Sequence, residues 1–174
     1  ASDVYKRQIS FLVLYRYYDR RYQALFGNAF SQGSTVQNEQ GVYMGLQLTP
    51  IARWKLSVYA DLFRFPWLKY GIDAPSGGQE YMAQIDYTPS RNYSAYLRYK
   101  YRQKEKNGTF ENDNLLRINS YKQHRIRFQQ VYNFSSPFIF KTSLDGILFD
   151  DPIKKLNKGI MISQSIGWKP TTLP

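Results

Sequence analysis

Apolar and polar side chains alternate along most of this chain, from Gly41 to Trp168. A period of two is typical of β-strands with one apolar and one polar face, and helical spacing matches these segments poorly. The alternating segments lie at residues 42–49, 54–63, 80–87, 93–102, 121–133, 138–148 and 160–168. Residues 9–18 also predict a strand, although they are too uniformly apolar to assign faces. The sequence therefore predicts an all-β fold, an antiparallel meander of about seven to eight long strands.

Two kinds of connection alternate between the predicted strands. The short ones carry proline, at Pro50, Pro89, Pro137 and Pro170. The long ones are polar and cover residues 66–79, 103–119 and 150–158. Barrels of the bacterial outer membrane have short periplasmic turns and long extracellular loops. We therefore expect the proline turns on the periplasmic side.

Strand length and aromatic position both favour a membrane barrel. A tilted strand needs about 9 to 11 residues to cross a bilayer, whereas ordinary strands average about 5 to 6. Aromatic residues collect at both bilayer interfaces. Those next to the short turns are Trp54, Tyr87, Tyr93, Tyr132, Phe138 and Trp168, and those at the other ends are Phe65, Trp67, Tyr81, Tyr99, Tyr101 and Phe149. These features predict part of a transmembrane β-barrel in the bacterial outer membrane, surrounded by lipid and lipopolysaccharide.

Composition excludes several other classes of protein. The chain has no cysteine, so it contains neither disulfides nor cysteine-ligated metal. Its aromatic content of 17% is far above that of disordered chains. The longest uninterrupted apolar run, residues 11–15, is much shorter than the about 20 residues of a spanning helix. A soluble basic β-sheet protein that binds a ligand or polyanion remains the alternative to a barrel.

Charges on the predicted polar face are segregated. The acidic side chains come from two neighbouring strands and are Asp61, Glu80 and Asp86. The basic ones come from the next three strands and are Arg98, Lys100, Arg102, Arg125, Arg127 and Lys141. If these rows line a barrel, low-dielectric walls would focus the field and favour passage or binding of anions. The alternative is that the charges only form ion pairs between neighbouring strands.

The formal net charge of +11 allows two further partners. Lysines in the predicted long loops could contact the anionic lipopolysaccharide surface, and they are Lys104, Lys106, Lys154, Lys155 and Lys158. A basic face interleaved with tyrosine could instead stack bases and neutralise phosphates of DNA or another polyanion. No recognised nucleic-acid-binding motif accompanies it.

Residues suited to catalysis are scarce. The single histidine, His124, and the lack of cysteine exclude a zinc site with several such ligands and a cysteine nucleophile. A lipid-facing hydrolase would need Ser120 beside His124, but a strand places residues four apart about 13 Å from each other. We therefore predict a non-enzymatic protein with no catalytic residues, no metal and no cofactor.

The two ends of the chain carry signs of truncation. Residues 3–8 read DVYKRQ, the in-frame translation of the mosaic end GATGTGTATAAGAGACAG used in transposon-based sequencing libraries. We expect residues 1–8 to be such an artefact. Residues 169–174 resemble the start of another turn and lack the terminal aromatic residue of a finished outer-membrane strand. Residues 9–174 are therefore expected to be a partial barrel, truncated at both ends.

Several stretches of the sequence resemble a known family. They are residues 25–30 (LFGNAF), 37–46 (QNEQGVYMGL), 54–68 (WKLSVYADLFRFPWL), 80–81 and 86–89, within a likeness over residues 22–168. The chain resembles the C-terminal barrel region of large Gram-negative helix-hairpin-helix proteins, whose N-terminal part is similar to competence-type DNA-binding modules. The resemblance implies an outer-membrane barrel without catalytic residues. It also implies that DNA is bound by a segment with no counterpart in these residues.

Overall fold

The computed structural model describes residues 9–23, 30–33, 35–110, 113–133, 138–152 and 156–168. The expectations for residues 1–8 and 169–174 lie outside these ranges. The strands are β1 (Ile9–Tyr18), β2 (Glu39–Ile51), β3 (Trp54–Phe65), β4 (Ser76–Ser90), β5 (Tyr93–Phe110), β6 (Asp113–Asn133), β7 (Phe138–Asp150) and β8 (Asn157–Trp168).

These eight strands form one antiparallel sheet in which each strand pairs with the next along the chain. The all-β meander predicted from the alternation is therefore confirmed. The described strands β1 and β8 do not pair with each other, so the sheet is open and not closed into a barrel. The described residues include no helix of the length and hydrophobicity needed to cross a membrane.

The connection between β5 and β6 differs from the prediction. The polar composition predicts a long loop over residues 103–119, but β5 continues to Phe110 and β6 begins at Asp113. The backbone makes the ladder hydrogen bonds, so a hairpin can extend with polar side chains on both faces. The predicted loop was therefore wrong. The loop predicted at residues 66–79 is also shorter, because β4 begins at Ser76.

The two faces of the sheet differ in chemistry. Leu97 on β5 lies opposite Ile85 on β4 and Phe128 on β6. The same row continues through Leu144 on β7 and Ile162 on β8. We call this side of the sheet the apolar face and the other side the polar face. No second sheet or helix covers the apolar face in the described part of the chain.

Toward the end of the sheet that carries the β3–β4 connection, the residues on the apolar face become polar. Across β4 to β7 the first polar row consists of Gln79, Gln103, Lys122 and Asp150, which are ladder neighbours. On β5 the apolar rows therefore occupy residues 93–101, between the short turn and this polar row. We call these rows the apolar band.

A polar stripe interrupts the apolar band on β6 to β8. It consists of Gln130, Thr142 and Gln164, which are ladder neighbours. The Thr142 hydroxyl donates to Gln164 Oε1 at 2.7 Å, and the Tyr93 hydroxyl donates to Gln130 Oε1 at 3.4 Å. The polar groups of this stripe therefore have partners within the sheet.

Burial in this sheet is the inverse of that in a soluble domain, which buries apolar side chains. The buried hydrophobic residues, among those described, are Phe63, Phe65 and Ile72. The buried polar and charged residues are Arg16, Asn38, Glu39, Asp61, Ser76, Glu80, Asp145 and Asp151. On the apolar face, by contrast, Leu97 is 49% exposed and Ile160 is 86% exposed.

Gly78 allows β4, β3 and β5 to approach closely on the polar face. A Cβ atom at Gly78 would lie 2.5 Å from Phe63 Cζ and 2.6 Å from the Gln103 carbonyl oxygen. We expect Gly78→Ala to lower the free energy of unfolding by about 1–3 kcal/mol, because the backbone must move. Denaturant unfolding in detergent micelles, followed by tryptophan fluorescence, measures this change.

Gly146→Ala is the matched control, because a Cβ at Gly146 would meet nothing within 4 Å. It should leave stability unchanged or raise it by about 0.5–1 kcal/mol. Equal losses in the two variants would contradict the close approach at Gly78.

Candidate functional site

Three clusters of ion pairs lie on the polar face. The first joins β1, β2 and β3 and is almost entirely buried. Arg16 Nε donates to Glu39 Oε1 at 2.6 Å, and its Nη1 and Nη2 donate to the two Asp61 oxygens at 2.7 and 3.1 Å. Arg16, Glu39 and Asp61 are 3%, 0% and 1% exposed. Of these residues the sequence indicated only Asp61, as an acidic residue of the polar face.

Glu80 is the centre of the second cluster. Its carboxylate accepts hydrogen bonds from the Tyr59 hydroxyl at 2.6 Å and from Arg102 Nε at 2.5 Å. Lys100 Nζ lies 2.8 Å from Glu80 Oε1, the oxygen that also accepts from Tyr59. One of the two predicted acidic residues on β4 and two of the predicted cations on β5 therefore come together as an ion-pair group.

Asp145 on β7 is the centre of the third cluster. Its Oδ1 lies 2.6 Å from Arg127 Nε and 3.5 Å from Arg125 Nη2. Asp145 is buried, at 8% exposure. Both predicted cations on β6 are therefore paired with a carboxylate from the next strand.

The remaining polar-face charges predicted from the sequence lie apart from these clusters. Arg98 Nε donates to Gln84 Oε1 at 2.6 Å, and its guanidinium lies 5.2 Å from the centre of the Tyr96 ring. Asp86 accepts a hydrogen bond from Gln84 Nε2 at 2.7 Å. Lys141 is exposed on β7 and pairs with no carboxylate of the described residues.

Residues 30–33 fold onto the polar face and are held there by Glu39. The Glu39 carboxylate accepts from the Ser31 hydroxyl at 2.7 Å and from the backbone amides of Gln32 and Gly33. The Gln32 side chain also donates to Asp61 Oδ2 at 2.8 Å. The buried ion pairs of the first cluster thus anchor this segment.

The loop of residues 66–75 lies over the same end of the sheet. Asn38 exchanges two hydrogen bonds with the backbone of Trp67, at 2.8 and 2.9 Å. Asn107 on β5 donates to Asp73 Oδ2 and accepts from the Asp73 amide. These contacts dock the loop between β2 and the extended part of β5.

A cavity of about 690 Å³ lies between these two segments and strands β5 to β7. It is lined by the lysines Lys69, Lys104 and Lys106 and the aromatic rings of Phe65, Tyr121 and Phe149, among other residues. We call it the lysine cavity. It lies beyond the apolar band, past the polar row that contains Gln103.

The cations of the lysine cavity differ in their partners. Lys106 pairs with the Asp151 carboxylate. The Lys104 ammonium donates to the Gln32 carbonyl oxygen at 3.0 Å, and Lys69 Nζ lies 3.3 Å from the centre of the Phe65 ring. No carboxylate of the described residues lies within ion-pairing distance of Lys69 or Lys104.

Burial changes the acidity of both of these lysines. Burial lowers the pKa of the Lys69 amine, against the opposing charges of Glu39 and Glu105. Burial, together with the nearby cations Arg102 and Lys69, lowers the pKa of the Lys104 amine to about 8. A solvated lysine titrates near 10.4. Because an opposite charge nearby favours the charged form of a lysine, an anion entering the cavity would stabilise both ammonium groups.

Lys104 and Lys106 were expected in a long loop, but they lie on β5 and line the lysine cavity. Their loop placement was wrong because the ladder continues through them, and contact with lipopolysaccharide stays a prediction. Lys158 lies in β8, and Lys154 and Lys155 lie outside the described residues.

The aromatic residues predicted beside the short turns pair across strands on the apolar face. The rings of Trp54 and Tyr87 are 4.4 Å apart, and those of Tyr93 and Tyr132 are 6.3 Å apart. Phe138 lies opposite Trp168 in the ladder.

The aromatic residues predicted at the other ends of the strands, away from the short turns, are divided between the two faces. The apolar face carries Tyr81, Tyr99 and Tyr101, which are ladder neighbours or next neighbours. Phe65 and Phe149 line the lysine cavity on the polar face. These two rings therefore do not share the apolar face, because each falls on the opposite phase of its strand.

His124 and Ser120 do not form a catalytic pair. The His124 ring nitrogen Nδ1 lies 2.9 Å from the Tyr99 hydroxyl, and its ring centre lies 5.0 Å from that of Tyr101. Ser120 Oγ is buried without a hydrogen-bond partner. The geometry around His124 is that of a polar residue among aromatic rings at one end of the apolar band.

Comparisons with protein-family models, with curated proteins and with solved structures found no match to this chain. The site is therefore interpreted from its own geometry. DNA binding, expected from the basic excess, stays a prediction.

Proposed function

We propose that this chain is part of a bacterial outer-membrane β-barrel and serves as a non-enzymatic surface or transport component. The apolar face contacts lipid, and the polar face lines the barrel interior. The observation that carries the proposal is the inverted burial, with charged residues shielded and large apolar residues open.

Total exposure supports the proposal. A soluble monomer of 20.5 kDa exposes about 8,800 Å² of surface, whereas this chain exposes 12,935 Å². A soluble sheet would cover its apolar face with a second layer. Neither helices nor a second sheet cover it in the described ranges. The alternative, a soluble basic β-sheet protein, would need a larger buried apolar core than the three buried hydrophobic residues found there.

The dimensions of the apolar band also favour a bilayer. Residues 93–101 of β5 match the about 9 to 11 residues that a tilted strand needs to cross the hydrocarbon core. Arg64 and Lys122 lie on the apolar face just beyond the band and are exposed. Cations at that level are suited to contact the phosphates of lipopolysaccharide.

The two edges of the sheet are consistent with an incomplete ring. β8 is exposed at every position except Gly159, and the described strands leave the outer edges of β1 and β8 unpaired. Each unsatisfied backbone group costs several kcal/mol in hydrocarbon, so strands span membranes only in closed barrels. The proposal therefore requires that both edges pair with further strands, which in vesicles of the isolated chain are supplied by other copies of it.

Anion passage along the interior receives less support than the strand-joining alternative. Lys100, Arg102, Arg125 and Arg127 share the two carboxylates of Glu80 and Asp145, so about half of their positive charge is neutralised by the neighbouring strand. We therefore assign the ion pairs in the middle of the sheet to joining neighbouring strands.

Flotation with lipid vesicles tests the proposal. We expect the chain, refolded with dilauroylphosphatidylcholine vesicles, to float with them and to need detergent for solubility without lipid. In single-tryptophan variants, brominated lipid should quench Trp54 and Trp168 more strongly than Trp67, which lies past the apolar band. A detergent-free monomer that stays in the aqueous fraction would overturn the proposal.

A further inference from the structure

We propose that the lysine cavity binds a small anionic ligand, a phosphorylated or carboxylated sugar, through Lys69 and Lys104. The cavity lies outside the apolar band, and this inference goes beyond the proposed membrane role. It rests on the shape, charge and lining of the cavity.

The charge balance of the cavity favours an anion. Lys104 and Lys69 both line this half-open cavity, and neither has a carboxylate partner among the described residues. The third lysine of the cavity, Lys106, pairs with Asp151. Glu105 also lines the cavity, but its carboxylate accepts from the Gly77 amide at 2.6 Å and forms no ion pair with either lysine. A single oxyanion group between Lys69 and Lys104 would bind both ammonium groups directly.

The other lining groups favour a sugar over a bare inorganic ion. Phe65, Tyr121 and Phe149 present aromatic rings, which cover nonpolar faces of a ligand. Gln37 and Gln123 bring amide groups that both donate and accept hydrogen bonds, as hydroxyl groups require. The volume of about 690 Å³ is within the range of small-molecule sites and is far larger than one phosphate needs.

Hydrogen bonds of Asn38 and Glu39 hold the walls of the cavity in position, in addition to the contacts of the cavity lysines. Asn38 fixes the loop through Trp67, and Glu39 fixes residues 30–33 through Ser31 and backbone amides. Both anchors are buried polar residues. A site whose walls are positioned before binding loses less entropy when the ligand enters.

Isothermal titration calorimetry on the full chain in detergent micelles tests the proposal. The probes are glucose 6-phosphate, glucuronate, inorganic phosphate and neutral glucose. We expect both sugar acids to bind, phosphate to bind more weakly, and glucose not to bind measurably. Equal binding of glucose and the sugar acids, or no binding of either acid, would overturn the proposal.

Charge-removing variants locate the site. Lys104→Gln and Lys69→Gln should each weaken glucose 6-phosphate binding about tenfold or more, since each removes a charge-assisted hydrogen bond. Lys141→Gln removes the same charge from the polar face far from the cavity and should leave affinity unchanged. Equal effects of the three variants would mean nonspecific attraction and would overturn the assignment.

The pH dependence of glucuronate binding gives a second readout, because its carboxylate stays ionised between pH 7 and 9. The charged groups around Lys104 are Arg102, Lys69, Glu80 and Glu39. The ammonium is the binding form, so affinity should fall as pH rises through about 8. Lys104→Arg should lose less affinity between pH 7 and 9 than the unchanged chain, because arginine stays charged while Lys69, whose pKa burial also lowers, is still present. The same fall in that variant would contradict the role of Lys104.

This test is independent of the flotation experiment. Sugar-acid binding by a chain that does not float would leave the cavity assignment standing and overturn the membrane role. Flotation without sugar-acid binding would leave the membrane role standing and overturn the cavity assignment.

Discussion

Arg16→Met is expected to lower the free energy of unfolding by about 3–5 kcal/mol, the largest effect of any single substitution proposed here. Removing the guanidinium leaves the carboxylates of Glu39 and Asp61 buried without their cation. Denaturant unfolding in detergent micelles, monitored by tryptophan fluorescence, measures the loss.

The size of this effect follows from burial and geometry together. Arg16 donates to both carboxylates at 2.6 to 3.1 Å, and water does not reach any of the three side chains to an appreciable extent. A buried ion pair contributes little net stability relative to an apolar replacement, but an isolated buried charge is costly. The cost therefore comes from the two carboxylates that remain.

Two comparisons separate this explanation from general damage to the sheet. Arg125→Met should cost about 0–1 kcal/mol, because Arg125 is roughly half exposed and Asp145 keeps Arg127. Adding Glu39→Gln and Asp61→Asn to Arg16→Met should recover part of the loss. A loss at Arg16 no greater than at Arg125 would contradict the buried cluster.

Leu97→Lys is expected to lower the free energy of unfolding in phospholipid vesicles by about 2–4 kcal/mol, the cost of a charge at the bilayer midplane. Leu97 lies midway along the apolar band of β5, between Tyr93 and Tyr101. Urea unfolding from dilauroylphosphatidylcholine vesicles measures the change.

The same substitution would have little effect in water. Leu97 is 49% exposed, and exposed positions away from special features usually tolerate substitution within about 0.5 kcal/mol. The variant therefore distinguishes a lipid-facing surface from a solvent-facing one.

Ser57→Lys is the matched control, since Ser57 lies on the polar face of β3 at a similar level of the sheet, two strands away. A lysine there would point into the proposed aqueous interior and should change stability by less than about 1 kcal/mol. Equal losses at Leu97 and Ser57, or no loss at either, would contradict lipid contact by the apolar face.

The alternation of side chains predicted the strands and their faces because a strand repeats every two residues without help from distant parts of the chain. The run from Trp54 to Leu62 is an example, and the whole of it lies within β3. The proline turns at Pro50 and Pro89 were also predictable, because each lies at the end of a strand beside a short turn.

The buried cluster and the lysine cavity were not predictable in the same way. Arg16 stands in a strand whose apolar residues occur on both faces, so its face could not be assigned. Its charge within an apolar strand was nevertheless a signal, because such residues mark sites with a specific partner. Lys104 and Lys106 were assigned to a loop because their polar surroundings hid the continuing ladder.

The sequence by itself determined the type of secondary structure and which side chains share a face, since both depend on neighbours along one strand. Only the tertiary structure decided that Arg16 meets Asp61, that Lys104 reaches Gln32, and that the sheet stays open between β1 and β8. These contacts join residues 45 and 72 positions apart, and they depend on strand register and on how segments fold over the sheet. No local pattern encodes that placement, because it arises when the chain buries its charges against one another.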